Sequence, residues 1–158
     1  MKSERIDRAE RTVAASADKL YRAFLEPELL EEWLPPEGMA GKVHEINAFE
    51  GGGYVMSLYY GEALPDVVGK TTEREDRFRV IFDELKPGMR VVQRVVFDAS
   101  DPSFTGAMKQ TWTLSTSGSS TRVSVACENV PPGVRPEDHA VGLRSSLEKL
   151  ALVFEFVK

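Results

Sequence analysis

The residues best able to bind a metal in this sequence are two histidines and one cysteine: His44, His139 and Cys127. Zinc prefers imidazole and thiolate ligands, and its structural sites hold about four of them, commonly in closely spaced pairs. These three residues fit none of those spacings, and the sequence offers no identifiable fourth ligand. We therefore predict that the chain holds no metal, and we find no motif that indicates a cofactor.

A run of three glycines, Gly51 to Gly53, allows two interpretations. Phosphate-binding loops are rich in glycine, but they lead from a strand into the N-terminus of a helix. Here, residues with the alternation of a strand follow at once. We therefore favour a tight hairpin or a bulge, which would use the backbone freedom of glycine.

No constellation typical of nucleophilic or acid–base catalysis can be assigned. The sequence has no Gly-x-Ser-x-Gly elbow, and spacing alone singles out neither a histidine-based relay nor a pair of carboxylates. We therefore nominate no catalytic residue and favour a binding protein over an enzyme. An enzyme that uses scattered polar groups of a cavity, such as His139 or Gln110, stays an open alternative.

A first strand and two short helices are predicted in the first part of the chain. Residues 5–15 mix polar and apolar positions in the manner of a partly exposed strand. Ser16 stands where a helix N-cap belongs, and apolar residues at helical spacing follow it. Pro27 suits the first turn of a second helix, which Pro35 and Pro36 would end.

Period-two alternation then predicts a series of antiparallel strands. Large side chains share one face in three segments, which carry Tyr54, Met56, Leu58 and Tyr60, then Phe78, Val80 and Phe82, then Met108, Gln110, Trp112 and Leu114. A polar turn at residues 116–120 joins the third segment to a further strand with Val123, Val125 and Cys127. These two strands are predicted to form a hairpin.

The segment 89–98 has two candidate inner faces, one with Val91, Gln93, Val95 and Phe97 and the other with Val92, Arg94 and Val96. We prefer the first set because the second would bury Arg94, and burying an unpaired charge is costly. This choice places Gln93 on the inner face, as alternation does for Gln110. A buried amide needs hydrogen-bond partners, which the backbone, water or a ligand can supply.

The chain is predicted to finish with one long helix, from about Pro136 to Val157. Its apolar stripe consists of Leu143, Leu147, Leu150, Phe154 and Val157. In the first half the same side carries small or polar residues, namely His139, Ala140 and Ser146, with Gly142 at its edge. Such residues either leave space for a ligand or make room for loops and large side chains of the sheet.

Two apolar residues of this helix, Leu152 and Phe156, fall on its polar side. They suggest either a homodimer contact or packing by the first strand. Monomer and homodimer therefore both stay open.

Composition and charge limit the class of protein. The 158 residues, 42% of them hydrophobic, suffice for one well-buried core, so we expect a single domain over residues 1–158. Twenty basic against twenty-five acidic residues give a net charge of -5, and no basic cluster could follow a phosphate backbone. We therefore expect no nucleic-acid partner. The order of elements predicts an α+β domain, with about six or seven antiparallel strands curved around the final helix.

The sequence indicates a cytoplasmic protein. Cys127 is the only cysteine, so no internal disulfide can form, and residues 1–13 lack the apolar core of a signal peptide. The longest apolar run, residues 150–154, is far shorter than the roughly 20 residues of a membrane-spanning helix. We therefore expect no membrane partner.

Four stretches together resemble a known family in their order and spacing: AASADKLYRAFLEPELLEEWLPPEGM, FEGGGYVM, VVGKTTEREDRFRVIF and HAVGLRSSLEKLALVFE. They are similar to the bacterial homologues of the C-terminal domain of the heat-shock-protein-90 ATPase activator. These homologues belong to the SRPBCC superfamily, also called START-like or Bet v 1-like. The resemblance spans nearly the whole chain, and the Pro-Glu-Leu-Leu-x-x-Trp stretch with the later Gly-Gly is fairly specific for the group.

The resemblance implies the helix-grip fold, in which a strongly bent antiparallel sheet wraps the C-terminal helix and leaves an apolar cavity between them. It also implies a chaperone as a candidate partner. Two positions depart from the family's pattern. Leu34 stands where the family often has a second aromatic residue after Trp33, and Gly142-Leu143 stands where it often has Gly-Trp. Both changes would reshape such a cavity.

The predicted site is a concavity between the bent sheet and the last helix, with large side chains and a few polar groups, as in small-molecule pockets. Its candidate ligand-binding residues are Trp33, Tyr54, Met56, Tyr60, Phe82, Gln93, Met108, Gln110, Trp112, His139, Leu143 and Ser146. Taken singly, each large residue is more often an ordinary core residue. We predict a non-catalytic binder of a small apolar or aromatic molecule. The alternatives are a module that modulates a chaperone ATPase and a cyclase- or hydrolase-like enzyme that uses the same cavity.

Overall fold

The computed structural model describes residues 5–62, 69–72 and 74–155. The strands are β1 (Ile6–Val13), β2 (Met39–Asn47), β3 (Gly53–Tyr60), β4 (Glu75–Lys86), β5 (Arg90–Phe97), β6 (Ala107–Ser117) and β7 (Ser120–Glu128). The helices are α1 (Ala17–Arg22), α2 (Pro27–Trp33) and α3 (Pro136–Glu155). A short 3-10 turn, Pro102–Phe104, lies between β5 and β6.

The seven strands form one antiparallel sheet in the order β1-β7-β6-β5-β4-β3-β2. From β2 to β7 each strand pairs with the next one in the chain, whereas β1 pairs with β7. The long helix α3 packs against β1 and α2. The expected α+β helix-grip fold, with six or seven strands and two short helices after the first strand, is confirmed.

The two short helices begin where the sequence predicts. The side chain of Ser16 caps α1 by accepting a hydrogen bond from the backbone N–H of Lys19 at 3.3 Å. Pro27 occupies the first turn of α2, where its missing N–H costs no hydrogen bond. These helices lead the chain from β1, at one edge of the sheet, to β2 at the other edge.

The long helix begins at Pro136, as predicted, and its described part ends at Glu155. Leu143, Leu147 and Leu150 of its apolar stripe are buried. The stripe residue Val157, and Phe156 on the other side, lie outside the described residues. Within the described ranges, no helix combines the length and the apolar character that crossing a bilayer requires.

The inner face of the sheet carries the alternating set that the sequence predicts. In β5, Gln93 is buried, while Arg94 points outward and pairs with Asp83 at 3.0 Å. The preferred inner face of β5 is therefore confirmed. The same face buries Tyr54, Met56, Phe78, Val80, Phe82, Val91, Val95, Met108, Trp112, Leu114, Val123, Val125 and Cys127.

Gly51 and Gly52 lie in the connection between β2 and β3, and Gly53 is the first residue of β3, so the hairpin interpretation of this run is confirmed. Gly51 has a φ of +88°, a left-handed conformation that glycine adopts at little cost. Gly53 is required by a close approach of two strands, because a Cβ atom there would lie 1.8 Å from the carbonyl oxygen of Val80.

Candidate functional site

A row of polar side chains crosses the inner face of the sheet. Gln93 of β5 lies opposite Gln110 of β6, Gln110 lies opposite Cys127 of β7, and Cys127 lies opposite Asp7 of β1. Directly opposed residues in neighbouring strands place their side chains next to each other on one face. The four side chains therefore form a line across four strands, which we call the inner polar row. Gln93 and Cys127 are 4% and 0% exposed, so the row lies in the core.

The hydrogen bonds of the inner polar row determine how its two amides are oriented. The indole Nε1 of Trp112 donates to Oε1 of Gln110 at 3.3 Å, and an indole N–H can only donate. Nε2 of Gln93 donates to the same oxygen at 3.0 Å. The other atom of the Gln93 amide, Oε1, is buried and accepts no hydrogen bond from any described residue.

This unpartnered oxygen is unusual for a protein core. A buried acceptor without a donor costs about 1–3 kcal/mol, and native structures contain few such atoms. Burial raises the pKa of the neighbouring Tyr54, and a hydrogen bond from the Gln93 side chain offsets part of that rise. The N–H group of Gln93 thus donates to Gln110. Its carbonyl oxygen is the part of the amide that is left to contact a further group.

Cys127 is a protonated thiol in this row. Burial raises the pKa of Cys127 to about 12, and the nearby Asp7 carboxylate acts in the same direction. A thiol is a much poorer nucleophile and metal ligand than a thiolate. His44 lies on the outer face of the sheet, where its Nε2 is 2.9 Å from the hydroxyl of Ser57, so the fold separates it from Cys127 and His139. Among the described residues, no three His, Cys, Asp or Glu side chains are grouped so as to hold a metal ion.

Asp7 ends the inner polar row in an ionic cluster that joins the first strand to the last helix. Its Oδ2 accepts hydrogen bonds from Arg5 at 2.7 Å and from Nδ1 of His139 at 2.6 Å. The Arg5 guanidinium above all, and His139 in addition, hold the pKa of Asp7 below its usual range, although burial opposes them. One ring nitrogen of the predicted site residue His139 is therefore engaged by Asp7 of β1.

Aromatic rings surround the central part of the row. Phe24, Trp33 and Trp112 form a cluster whose ring centroids are 5.1 to 5.6 Å apart in each pair. Tyr54 and Phe82 form a second contact, with centroids 5.8 Å apart. These tilted and edge-on arrangements are the ones that aromatic side chains prefer. Of the predicted site residues, the fold brings six together along the row: Trp33, Tyr54, Phe82, Gln93, Gln110 and Trp112.

Three further site residues, Met56, Met108 and Leu143, are buried in the same core. Met108 lies two residues from Gln110 on β6 and stands opposite Val95 of β5. Methionine side chains are flexible and adapt to irregular space. The two methionines are therefore adaptable members of this core.

The predicted site residue Tyr60 belongs to a different group, which we call the Asp76 cluster. Its hydroxyl donates to Oδ2 of Asp76 at 2.5 Å, and Nζ of Lys70 donates to the same oxygen at 2.9 Å. Oδ1 of Asp76 accepts from the backbone N–H of Lys70 at 2.6 Å. Nζ of Lys70 also lies 5.2 and 5.4 Å from the ring centroids of Phe97 and Phe104. All the side-chain polar atoms of this cluster thus have partners in the chain.

Sequence reasoning missed the two charged members of the Asp76 cluster. Asp76 lies two residues before Phe78, so the alternation of β4 already puts it on the inner face. A carboxylate at a position that alternation predicts to be buried was the available signal. Lys70 gave no such signal, because it lies outside the strands and reaches Asp76 only through the folding of its segment.

The first half of α3 packs against the turn that follows α2. Ser146 is 5% exposed, and its hydroxyl donates to the carbonyl oxygen of Leu34 at 2.6 Å. A Cβ atom on Gly142 would lie 3.8 Å from Pro36. The small residues in the first half of α3 therefore lie against residues 34–37, in line with one of the two explanations that the sequence pattern left open, a loop packed at this position.

Two cavities among the described residues lie away from the predicted site. One, of about 600 Å³, is a groove on the outer face of β1, β6 and β7, with Arg8, Glu10 and Thr113 among its lining residues. The other, of about 340 Å³, lies between the start of α1 and the turns at residues 87–88 and 118–120. None of the predicted ligand-binding residues lines either cavity. A molecule bound beside the inner polar row would therefore displace core side chains or shift a helix.

Comparison with known families assigns the chain. Residues 14–155 match the family model described as Activator of Hsp90 ATPase homolog 1-like protein. The chain belongs to this family. The match covers most of the sequence, and it confirms the resemblance that the four sequence stretches indicated.

Solved structures of similar proteins share the fold of this chain. A protein from Chromobacterium violaceum is 32% identical, with 95% of this chain and 96% of that chain covered and a TM-score of 0.83. Proteins from Nitrosomonas europaea and Arthrobacter aurescens are 17% and 14% identical, with TM-scores of 0.73 and 0.78. The alignments cover 98% and 95% of this chain and 97% and 86% of theirs, and they show a shared fold. No curated protein matches the chain.

Proposed function

We propose that this protein binds a small apolar or aromatic molecule beside the inner polar row, between the sheet and the C-terminal helix, without catalysing a reaction. The observation that carries the proposal is the buried Oε1 of Gln93, which has no partner among the described residues and lies in an aromatic core. A core that served stability alone would gain by satisfying this atom or replacing it. A guest molecule that reaches it would remove the penalty.

The surroundings of Gln93 suit a guest with an apolar body. Small-molecule sites are mostly apolar and contain a few polar groups that orient the ligand. Phe82 stands opposite Gln93 in the sheet, and the rings of Tyr54 and Trp112 flank the two amides. One open acceptor among several rings matches that description.

The same surroundings favour binding over catalysis. A general base must be free to take a proton, and a nucleophile must be activated. In the inner polar row Cys127 is a protonated thiol, and Asp7 is engaged by Arg5 and His139. The two remaining members of the row are amides, which do not titrate.

Entry of a guest would require part of the helical layer to move. Trp33, at the end of α2, covers Trp112 and is held by a hydrogen bond from its Nε1 to the carbonyl oxygen of Ala23 at 2.8 Å. The helix α2 has seven residues, and short helices have little stability of their own. We expect α2 and the turn at residues 34–37 to move together when a molecule enters.

The two tryptophans provide a direct test. Each indole gives its own N–H signal in a ¹H–¹⁵N NMR spectrum, and the variant Trp33→Phe assigns both. We expect toluene to shift the signal of Trp112, which lies beside Gln110, in a saturable manner. Benzenesulfonate, of similar size but charged, serves as a control probe and should leave the signal in place. Native mass spectrometry of freshly purified protein would in addition detect a guest that copurifies.

The proposal is wrong if toluene moves neither indole signal up to its solubility limit and native mass spectrometry shows only the mass of the chain. Movement of both signals by toluene and benzenesulfonate alike would also contradict it. That result would indicate surface association and not a site in the core.

The family match supports a second proposal, that the protein modulates the ATPase of a chaperone. The expected result is a saturable change in the rate of ATP hydrolysis by an Hsp90-type chaperone when this protein is added. A variant unable to bind toluene should keep that effect if the two activities are separate. An unchanged hydrolysis rate over a wide range of protein concentration would rule this proposal out.

A further inference from the structure

The inner polar row also restricts the chemistry of the guest, and this step rests on the binding function proposed above. We infer that the bound molecule carries a hydrogen-bond donor, a hydroxyl or an N–H group, which Oε1 of Gln93 accepts. The oxygen is an acceptor only, so a guest satisfies it only by donating.

The orientation of the Gln93 amide follows from its neighbours. Trp112 can only donate, so the atom of Gln110 that faces it is the carbonyl oxygen. If the Gln93 amide were turned over, its own oxygen would face that oxygen at about the same 3.0 Å separation. Two carbonyl oxygens at hydrogen-bond distance repel each other. The open atom of Gln93 is therefore its oxygen and not its nitrogen.

No described residue donates a hydrogen bond to this oxygen. Phe82 stands opposite Gln93 in β4, and Val91 and Val95 precede and follow it on the same face of β5. These three side chains cannot donate a hydrogen bond. The hydroxyl of the neighbouring Tyr54 could, but it does not donate to Oε1. Oε1 is accordingly without a partner among the described residues.

The same geometry argues against other classes of guest. An ether or a ketone would bring a second acceptor toward Oε1 and would leave both unsatisfied. A carboxylate would be worse, because it would bury a charge. The favoured class is a neutral molecule with an apolar or aromatic body and one hydroxyl or N–H group, of which phenol is the simplest model.

The test compares three probes on the wild-type protein by the shift of the Trp112 indole signal. Phenol has the donor, anisole has the same oxygen capped by a methyl group, and toluene has no oxygen. Burial of apolar surface alone would make anisole and toluene bind more tightly than phenol. We expect the opposite order, with phenol binding about tenfold more tightly than anisole, as one net hydrogen bond supports.

Two variants assign the effect to Gln93. In Gln93→Met, which keeps the side-chain length and removes the amide, we expect anisole and toluene to bind at least as tightly as phenol. In Glu84→Gln, an exposed change on β4 outside the row, the preference for phenol should persist. Retention of the full phenol preference in Gln93→Met would show that another group accepts the donor, and the inference would be wrong.

The outcomes separate this inference from the binding function. If all three probes bind and phenol binds most weakly, the inference fails while binding of an apolar molecule stands. If none of the probes binds, the binding function fails and the inference fails with it. The comparison on the wild-type protein requires no variant, so it decides the inference even if Gln93→Met does not fold.

Discussion

The inner polar row and the Asp76 cluster both place buried polar groups on the inner face of one sheet, yet they differ in how those groups are satisfied. In the Asp76 cluster, one carboxylate accepts from a hydroxyl, an ammonium group and a backbone N–H. In the row, the amide of Gln93 donates to Gln110 while its oxygen has no partner among the described residues.

This difference separates a structural role from a binding role. A fully partnered cluster stabilises the fold, because every group that was desolvated has gained an interaction in exchange. In the folded protein without a ligand, a buried acceptor that has no partner lowers the stability. We therefore expect substitutions in the Asp76 cluster to act on stability, and substitution of Gln93 to act on ligand choice.

The largest effect is expected for Asp76→Asn. The amide oxygen can still accept a hydrogen bond, but it carries no charge, so the partly buried ammonium group of Lys70 loses its counter-charge. We expect the free energy of unfolding in urea to fall by about 2–4 kcal/mol. Glu84→Gln is the matched control, because Glu84 pairs with Arg90 at 2.7 Å where both side chains are 41% exposed, and it should cost less than about 1 kcal/mol. Equal losses in the two variants would contradict the structural role of the cluster.

A somewhat smaller effect, dependent on pH, is expected for Asp7→Asn. The folded protein holds the pKa of Asp7 below its ordinary value of 3.8, so the ionised form stabilises the fold above that pH. At neutral pH we expect a loss of about 1–3 kcal/mol. The stabilisation disappears as the pH falls through the lowered pKa, so wild type and variant should converge on acidification. Thermal melts at a series of pH values measure this.

Glu10→Gln, on the same strand, is the control for this titration. Glu10 is 61% exposed and lies 3.8 Å from Arg122, so its effect should stay near zero at every pH. A difference between Asp7→Asn and wild type that does not change between neutral and acidic pH would contradict the ionic role of Asp7.

Two adjacent serines of α3 give a smaller contrast. Ser146→Ala removes the donor to the Leu34 carbonyl oxygen at a buried position and should cost about 1–2 kcal/mol. Ser145 accepts from the backbone N–H of Glu37 at an exposed position, so Ser145→Ala should cost about 0.5 kcal/mol or less. Urea unfolding of both variants makes the comparison, and a larger loss in Ser145→Ala would show that the helix docks differently.

The smallest effect on stability is expected for Gln93→Met. The substitution removes an unsatisfied acceptor, while Gln110 keeps Trp112 as a donor. The change in free energy of unfolding should therefore lie within about 0.5 kcal/mol of zero or favour the variant. A loss comparable to that of Asp76→Asn would show that Gln93 is a structural residue. The distinction between a structural Asp76 cluster and a ligand-binding inner polar row would then be wrong.

Alternation along single strands predicts which side chains enter the core, and it predicts this for Gln93 and Gln110 correctly. It does not predict which residues stand opposite each other, because register depends on turns and bulges between distant segments. The alignment of the inner polar row depends on such a register, because β1 pairs with β7, which is distant in sequence. The contact between Asp7 and His139 depends in addition on where α3 crosses β1.

The strand β2 shows a second limit of sequence patterns, because no pattern predicts it. Its polar residues interrupt the alternation, and its register shifts between Val43 and Glu45, where His44 is the extra residue. Among the described strands, none pairs with the side of β2 that faces away from β3. Bulges and charged residues are common on such edge strands, since they discourage pairing with other chains. The irregular pattern that prevents prediction of β2 from the sequence is thus explained by its position at the edge of the sheet.

The pairing of β1 with β7 has a consequence for how the protein is made. A ribosome synthesises β1 first, but its partner strand emerges roughly a hundred residues later, after every other strand of the sheet. Contacts between residues so far apart in sequence form slowly, and an unpaired strand is prone to aggregate while it waits. We expect refolding and cotranslational folding to be limited by this closing step, in which the last-made strand and helix capture the first-made strand.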